Sequence, residues 1–284
     1  MINNKSSKKS IIPVTYMNTT ASIKALCGEN DGIVCTSSNA RKAFDWAYER
    51  GERILFVPDQ HLGRNTGLEY GIKKSEMVIW DPYKINGGLS EEEINNSKLI
   101  LWKGHCSVLT RFSVDQINLA RNKYPDVNVL VHPECTNEVV SEADFVGSTE
   151  YIKDMVQNAP AGTNWAIGTE INLVKRLAHT YTDKNVFCLD DMICPCSTMY
   201  RVHPAYLLWV MEGLVAGYVI NQIKVDDKIQ EGLTENEIYK FLSEKYGDWI
   251  LFDPPLKNNS YILWFLPYLL FVFGGVILYL MIKK

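Results

Sequence analysis

His132-Pro133-Glu134-Cys135 places an imidazole, a carboxylate and a thiol directly after the apolar run NVLV. An imidazole and a carboxylate so close in sequence are suited to moving protons. A second short apolar run, DFV, stops at Gly147-Ser148-Thr149, and a third, GIVC, runs into Thr36-Ser37. Small hydroxyl residues at such stops cap the helix that follows, and the free N–H groups of its first turn can receive an anion. At any single stop, capping alone is the simpler reading. Several such stops on successive units point to a shared anion pocket.

Two other thiol positions carry possible chemistry. Cys194-Pro195-Cys196 offers two thiols one residue apart on a stiff loop, and Cys106 ends the run LILWKGHC. The CPC spacing is not that of a zinc knuckle. If the strand ends converge on one centre, Cys106 and one thiol of the pair meet there, as iron–sulfur ligation requires. The ordinary alternative is a buried free cysteine that packs as a small hydrophobe. His61, Arg64 and Lys103 also stand near strand ends. Each reads either as an acid–base or anion-binding group, or as a structural histidine and solvated surface charge.

The elements that must position these groups follow one rhythm from residue 11 to about 192: a β-rich run, a small or hydroxyl residue, then a helix-period segment. IIPVTYMN leads into TTASIKALCG, GIVC into TSSNARKAFDWAYERG, NVLVHPEC into TNEVVSEA, DFVGS into TEYIKDMVQNAP, and NWAIG into TEINLVKRLAHTY. RILFVPDQHLG reads as a strand and loop. This alternation predicts an α/β fold with parallel sheets covered by helices, and ligands beyond the carboxyl ends of the strands. The acidic, turn-rich stretch from Asp81 to Lys98 reads as a surface insertion. The rhythm ends near Asp227.

The bulk numbers bound the reading. A chain of 284 residues with 46% hydrophobic content can bury a substantial core. A net charge of −4 gives no basic field for non-specific nucleic-acid binding. The seven cysteines are odd in number and follow a polar, basic start, MINNKSSKKS, with no apolar leader. A reducing, cytoplasmic setting is therefore expected for the body. Tyr261 to Ile282 is uncharged over 22 residues, begins with crowded aromatics and is followed by Lys283-Lys284. It reads as a membrane-spanning anchor.

PVTYMNTTASIKA, CTSSNA, VPDQHLGRNTG, WKGHCSV, VHPECTNEVVSEADFVGST, WAIGTEINLV and CPCSTM, in this order, closely resemble the quinolinate synthase family from about Ile11 to Asp227. The resemblance implies related αβα three-layer domains in pseudo-threefold arrangement around one [4Fe–4S] cluster. It implies condensation of iminosuccinate with dihydroxyacetone phosphate to quinolinate, in de novo NAD biosynthesis. Three thiolates hold the cluster and leave one iron open as a Lewis acid. Cys106 and Cys196 match two of those ligands, while Cys135 matches none. Substrate contacts carry over to Tyr16, Met17, Asn18, Ser37, His132, Pro133, Glu134 and Thr149. Glu134 is then the expected general base, with His132 as proton donor or acceptor and Tyr16 as a third catalytic group.

The expected layout is a second-type synthase domain over 11–100, a third-type domain over 101–227, an amphipathic linker over 228–260 and a transmembrane helix over 261–282. The family's first domain, with its cluster cysteine, is expected to lie outside this sequence, either on a separate chain or before a truncated start. From about Ile229 the tail LTENEIYKFLSEKYGDWILFDPPLK resembles the membrane-anchored haem-lyase subunit of cytochrome c maturation. That leaves a second reading, a non-catalytic maturation protein carrying a degenerate synthase body.

Overall fold

The computed structural model describes residues 9–190, 196, 198–199 and 202–219. All belong to the first of the chain's two compact units, Met1–Ile223. The expected linker and membrane span at 228–282 lie outside the described residues. Among the described residues, no helix is long and apolar enough to cross a membrane.

The first sheet contains β1 (Lys9–Tyr16), β2 (Ile33–Cys35), β3 (Gly51–Val57), β4 (Met77–Trp80) and β5 (Leu99–Trp102), in the order β2-β1-β3-β5-β4. Every pairing is parallel. The connecting helices are α1 (Ala21–Glu29), α2 (Ala40–Arg50), α3 (Gln60–Tyr70) and the short α4 (Glu91–Asn96). Ile12, Val14 and Tyr16 alternate along β1 toward one core face, joined there by Ile54 and Phe56 of β3 and Leu99 and Leu101 of β5. Phe44 of α2 fills the centre of this layer, with its ring 5.8 Å from that of Phe56.

The second sheet contains β6 (Asn128–Val131), β7 (Phe145–Val146), β8 (Asn164–Gly168) and β9 (Asn185–Cys188), in the order β7-β6-β8-β9, again all parallel. Its helices are α5 (Val114–Lys123), which precedes β6, then α6 (Asn137–Glu142), α7 (Thr149–Asn158) and α8 (Ile171–Thr180). Both faces of this sheet are buried. Val129, Val131 and Ala166 face one cluster, and Leu130, Trp165 and Ile167 face the other. Such two-sided burial explains why these strands read as unbroken apolar runs. A last helix, α9 (Pro204–Val215), starts with proline in its first turn and leaves Leu207, Leu208, Trp209 and Leu214 exposed.

The two sheets share a plan. In each, the first strand sends its chain to one side and the later strands to the other, so the strand order reverses between β1 and β3 and again between β6 and β8. Those reversal points open a crevice at the carboxyl ends of the strands.

Three local expectations are corrected. The stretch after β3 is helical: Asp59 caps α3 by accepting from the N–H groups of His61 and Leu62, and Gly71 ends it in the left-handed region at φ 100°. Thr36 and Ser37 do not cap α2. Its cap position is Asn39, whose Oδ1 accepts from the Thr36 N–H at 2.6 Å. The stretch from Asp81 to Lys98 lies largely at the surface, as expected, but instead of a plain insertion it carries α4 and leads from the edge strand β4 to β5.

Gly63 and Gly67 hid α3 from the sequence reading, yet they explain its place. A Cβ at Gly63 would stand 2.6 Å from Leu101 Cδ2 and 2.6 Å from Phe56 Cδ1. Glycine therefore lets the helix lie directly on β3 and β5. A Gly63→Ala variant gains about 1 kcal/mol of intrinsic helix preference. It loses about 1–3 kcal/mol by overpacking. We expect net destabilisation in urea unfolding, and an unchanged or raised midpoint would show that the close packing is not limiting.

Candidate active site

Five strand ends supply the site. Tyr16 is the last residue of β1 and pairs in register with Cys35, the last of β2. This parallel register brings the turn after β2, with Ser37, beside the Tyr16 phenol. Asp59 follows β3, Cys106 follows β5, and His132 to Cys135 follow β6.

A chain of contacts joins the two sheets. The Tyr16 hydroxyl donates to Glu134 Oε2 at 3.1 Å. The same oxygen lies 3.3 Å from His132 Nδ1. His132 Nδ1 also accepts the backbone N–H of Glu134 at 3.3 Å. The other ring nitrogen, Nε2, then carries the proton and faces Ser37 Oγ at 3.3 Å. Tyr16, His132 and Glu134 are all buried.

Burial sets the protonation of this group. It pushes the Glu134 carboxyl up to about 8, with the negative field of Asp59 adding to the effect. It pushes the His132 imidazole down to about 4. The Tyr16 phenol is raised, first by burial and then by Glu134. Near neutral pH the favoured state is therefore an uncharged carboxyl, imidazole and phenol in mutual contact.

Asp59 and Asn65 went unnoticed in the sequence. Asp59 Oδ1 accepts the N–H groups of His61 and Leu62, each at 2.8 Å, while Oδ2 accepts the Cys106 N–H at 3.0 Å. It thus caps α3 and fixes the backbone at Cys106. Asn65 of α3 donates to the carbonyl oxygens of Pro133 and Cys135 and accepts from Asn137 Nδ2. The only sequence hint of either was Asp59 directly before a stretch that proved to be a helix.

The other expected residues stand as follows. Met17 is 47% exposed and Asn18 is also exposed, both just beyond the end of β1. Pro133 is half-buried and contributes its carbonyl to Asn65. Thr149 is exposed at the first position of α7, where Ser148 is the cap and accepts from the Tyr151 N–H. Cys135 is fully buried, and its thiol donates to the Gly168 carbonyl at 3.7 Å. Lys103 is engaged by Asp81 at 2.7 Å, and Arg64 lies along α3 against His61 and Gln60.

The donor set can be tested against the expected cluster. Cys106 is half-buried, and the N–H groups of Val108 and Leu109 point at its sulfur. That setting suits a thiolate held to metal, although burial without metal pushes the thiol up. Cys196 is half-buried as well, and it follows β9 as Cys106 follows β5. Those strands hold corresponding places in the two sheets, counting past the inserted edge strand β4. Among the described residues, no three His, Cys, Asp or Glu side chains converge to hold a metal. The fit is thus that of two candidate thiols and not of a complete ligand set.

Residues 2–240 match the family described as Quinolinate synthetase A protein, and residues 221–284 match the family described as Cytochrome C biogenesis protein. A protein named quinolinate synthase from Corynebacterium glutamicum is 58% identical over 219 residues, covering 77% of this chain and 56% of that protein. Proteins of the same name from Acidobacterium capsulatum and a Nocardioides species are 54% and 51% identical, each covering 78% of this chain. Their own coverage is 60% and 58%, so the chain spans little more than half the length of these curated relatives. The match over residues 2–240, taken with this identity, shows that the chain belongs to the quinolinate synthetase A family.

Proposed function

We propose that this chain carries the acid–base portion of a quinolinate synthase, which condenses iminosuccinate with dihydroxyacetone phosphate and releases phosphate and water. The observation that carries this reading is the series Ser37–His132–Glu134–Tyr16, half-buried at Ser37 and buried at the other three, drawn from both sheets at their strand ends. The polar groups are intact and mutually bonded, which disfavours a degenerate, non-catalytic body.

Glu134 is positioned to exchange protons with substrate carbon or leaving oxygen once a ligand fills the crevice. His132 and Ser37 stand behind it as a relay, and the neutral Tyr16 phenol donates toward developing negative charge. Asn18 and Thr149, exposed beyond the ends of β1 and β7, are suited to the carboxylates and phosphate of the substrates. A bound [4Fe–4S] cluster would supply an open iron as Lewis acid. Cys106 and Cys196 are this chain's candidates to hold it, and a third thiolate is required. We assign that third ligand to the part of the family's length that these residues do not span. The segment from Tyr261 to Ile282 is read as a membrane tether for the body.

Anaerobically reconstituted chain should form quinolinate from iminosuccinate and dihydroxyacetone phosphate when the remaining portion of the Corynebacterium glutamicum relative is supplied, and not without it. As a base, Glu134 must lose its proton, so kcat/KM should rise with pH toward a plateau above about 8. Glu134→Gln should lower kcat by about 10²–10⁴-fold and remove that limb. Product formation at native rate by the variant would end the assignment.

Stability should follow the same groups. Folded Glu134 keeps its proton to about pH 8, whereas the carboxyl's ordinary value is 4.5. Its contribution is full below 4.5 and is lost as pH rises through 8. His132 acts oppositely: its contribution is full above 6.5 and is lost as pH falls toward 4. In urea unfolding of the chain without cluster, Glu134→Gln should abolish a decline on the order of a few kcal/mol between about pH 4.5 and pH 8. An identical pH slope in both proteins would contradict the buried neutral carboxyl.

For the tail, expression of the full chain should leave it in the carbonate-washed membrane fraction, and removal of 261–282 should release it. Release of the intact chain by carbonate would exclude the tether.

A further inference from the structure

The acid–base pair sits on a turn, and a turn of four residues does not hold a carboxyl to a fraction of an ångström by itself. Two bonds within the turn, Cys135 N–H to the His132 carbonyl and Glu134 N–H to His132 Nδ1, tie it to itself and to no outside frame. Outside the turn, the Gly168 carbonyl of β8 receives the His132 N–H and the Cys135 thiol at its two ends, and α3 holds the residues on either side of Glu134. Asn65 is buried on that helix, and its Nδ2 donates at 2.8 Å to the carbonyl of Pro133 and at 2.9 Å to that of Cys135. These residues flank Glu134 on either side. The remaining polar atom, Oδ1, accepts from Asn137 Nδ2 at 3.1 Å, at the start of α6. Both amide hydrogens and the oxygen are thus engaged, which fixes the orientation of the group.

We infer that Asn65 is a positioning residue for the reaction: its amide clamps the residues before and after Glu134 and so holds Glu134 and His132 against Tyr16. Asn65 belongs to the first-sheet half and the turn to the second, so the same clamp sets the spacing between the two halves of the site. Asparagine suits the position because it offers two donors and an acceptor on a short stem. Leucine has similar volume and neither, and serine keeps a single donor. Asn65 does not touch the reacting atoms. Its effect is transmitted through the backbone of the turn, and a displacement of about 1 Å at such a site costs about 10²-fold in rate.

This inference rests on the proposed synthase reading for its kinetic consequence only. The test uses the full chain as native, Asn65→Leu and Asn65→Ser, with Ile152→Val as a control. That control loosens the core on the other face of the second sheet, away from the clamp. His132 and Glu134 are titrated by NMR, unfolding is followed by urea, and quinolinate formation is measured with the partner portion supplied. In Asn65→Leu, the His132 titration should move up from about 4 toward 6.5 and that of Glu134 down from about 8 toward 4.5. Asn65→Ser should move both less. The Leu variant should lose about 10²-fold in kcat while KM holds. Ile152→Val should lower the urea midpoint and leave both titrations and kcat in place. Native titrations of His132 and Glu134 in folded Asn65→Leu and Asn65→Ser would overturn the inference. If native chain forms no quinolinate while the titrations shift as described, the clamp stands and the synthase reading falls.

Discussion

A single hydrogen bond, from the Tyr16 phenol to the Glu134 carboxyl, spans 118 residues of sequence and depends on the whole arrangement of strands. Tyr16 ends the strand beside which the first sheet reverses its order, and the turn bearing Glu134 leaves the strand beside which the second sheet reverses its own. Parallel strands open their carboxyl ends in one direction, so each reversal leaves a crevice that helices do not cover. Here the two crevices meet. Neither sheet alone makes the site, since each contributes only part of the proton-handling group.

Helix α3 keeps that meeting in register. Its cap, Asp59, receives the Cys106 N–H, and one and a half turns later Asn65 receives the turn that bears Glu134. The glycine at 63 lets the helix backbone settle onto Phe56 and Leu101, so the ruler lies on rigid strands. Core packing in the first sheet is thereby connected to the placement of acid–base groups in the second. A loss of fit at Gly63 would be felt as a shift of side chains that touch no part of it.

The sequence made the strand-end chemistry legible wherever an apolar run stopped at residues able to titrate or bind. His132 and Glu134 were visible for that reason, and the parallel α/β class followed from the alternation of runs and helical segments. Ser37 was visible as a hydroxyl stop, but Tyr16 was not legible from residue type alone, since a tyrosine closing a strand is usually core, and resemblance to a family brought it in. Asp59 and Asn65 stayed hidden for a physical reason. Their helix carries two glycines that resemble a loop, and Asn65 acts on residues 68 and 70 positions away. Local pattern records what a residue does to its own element and holds no trace of a side chain that serves a distant one. The hydroxyl stops were read too simply as well: at Ser148 the hydroxyl does cap its helix, but after β2 the cap belongs to Asn39.

Two carboxyl groups lie in the crevice, and their surroundings decide which keeps a charge. Burial pushes the Asp59 carboxyl up, and the three backbone N–H groups it accepts counter that by favouring the ionised form. Glu134 accepts one phenol, and burial together with the field of Asp59 drives it to the acid form. Burial raises both carboxyls, but only Asp59 has backbone donors that oppose it, so a negative charge is better supported on Asp59 than on Glu134. A pair of carboxyls in such different surroundings divides its labour, one bonded to the backbone as a structural cap and one free to exchange a proton. The division also suits the proposed substrates. Iminosuccinate brings two carboxylates and dihydroxyacetone phosphate a phosphate, and an ionised Glu134 facing them would repel both. With its proton in place, Glu134 meets an anion as a hydrogen-bond donor, and it becomes a base only when that proton leaves. The bonds that hold Asp59 to α3 and to Cys106 thus set the chemistry of a residue on the opposite sheet.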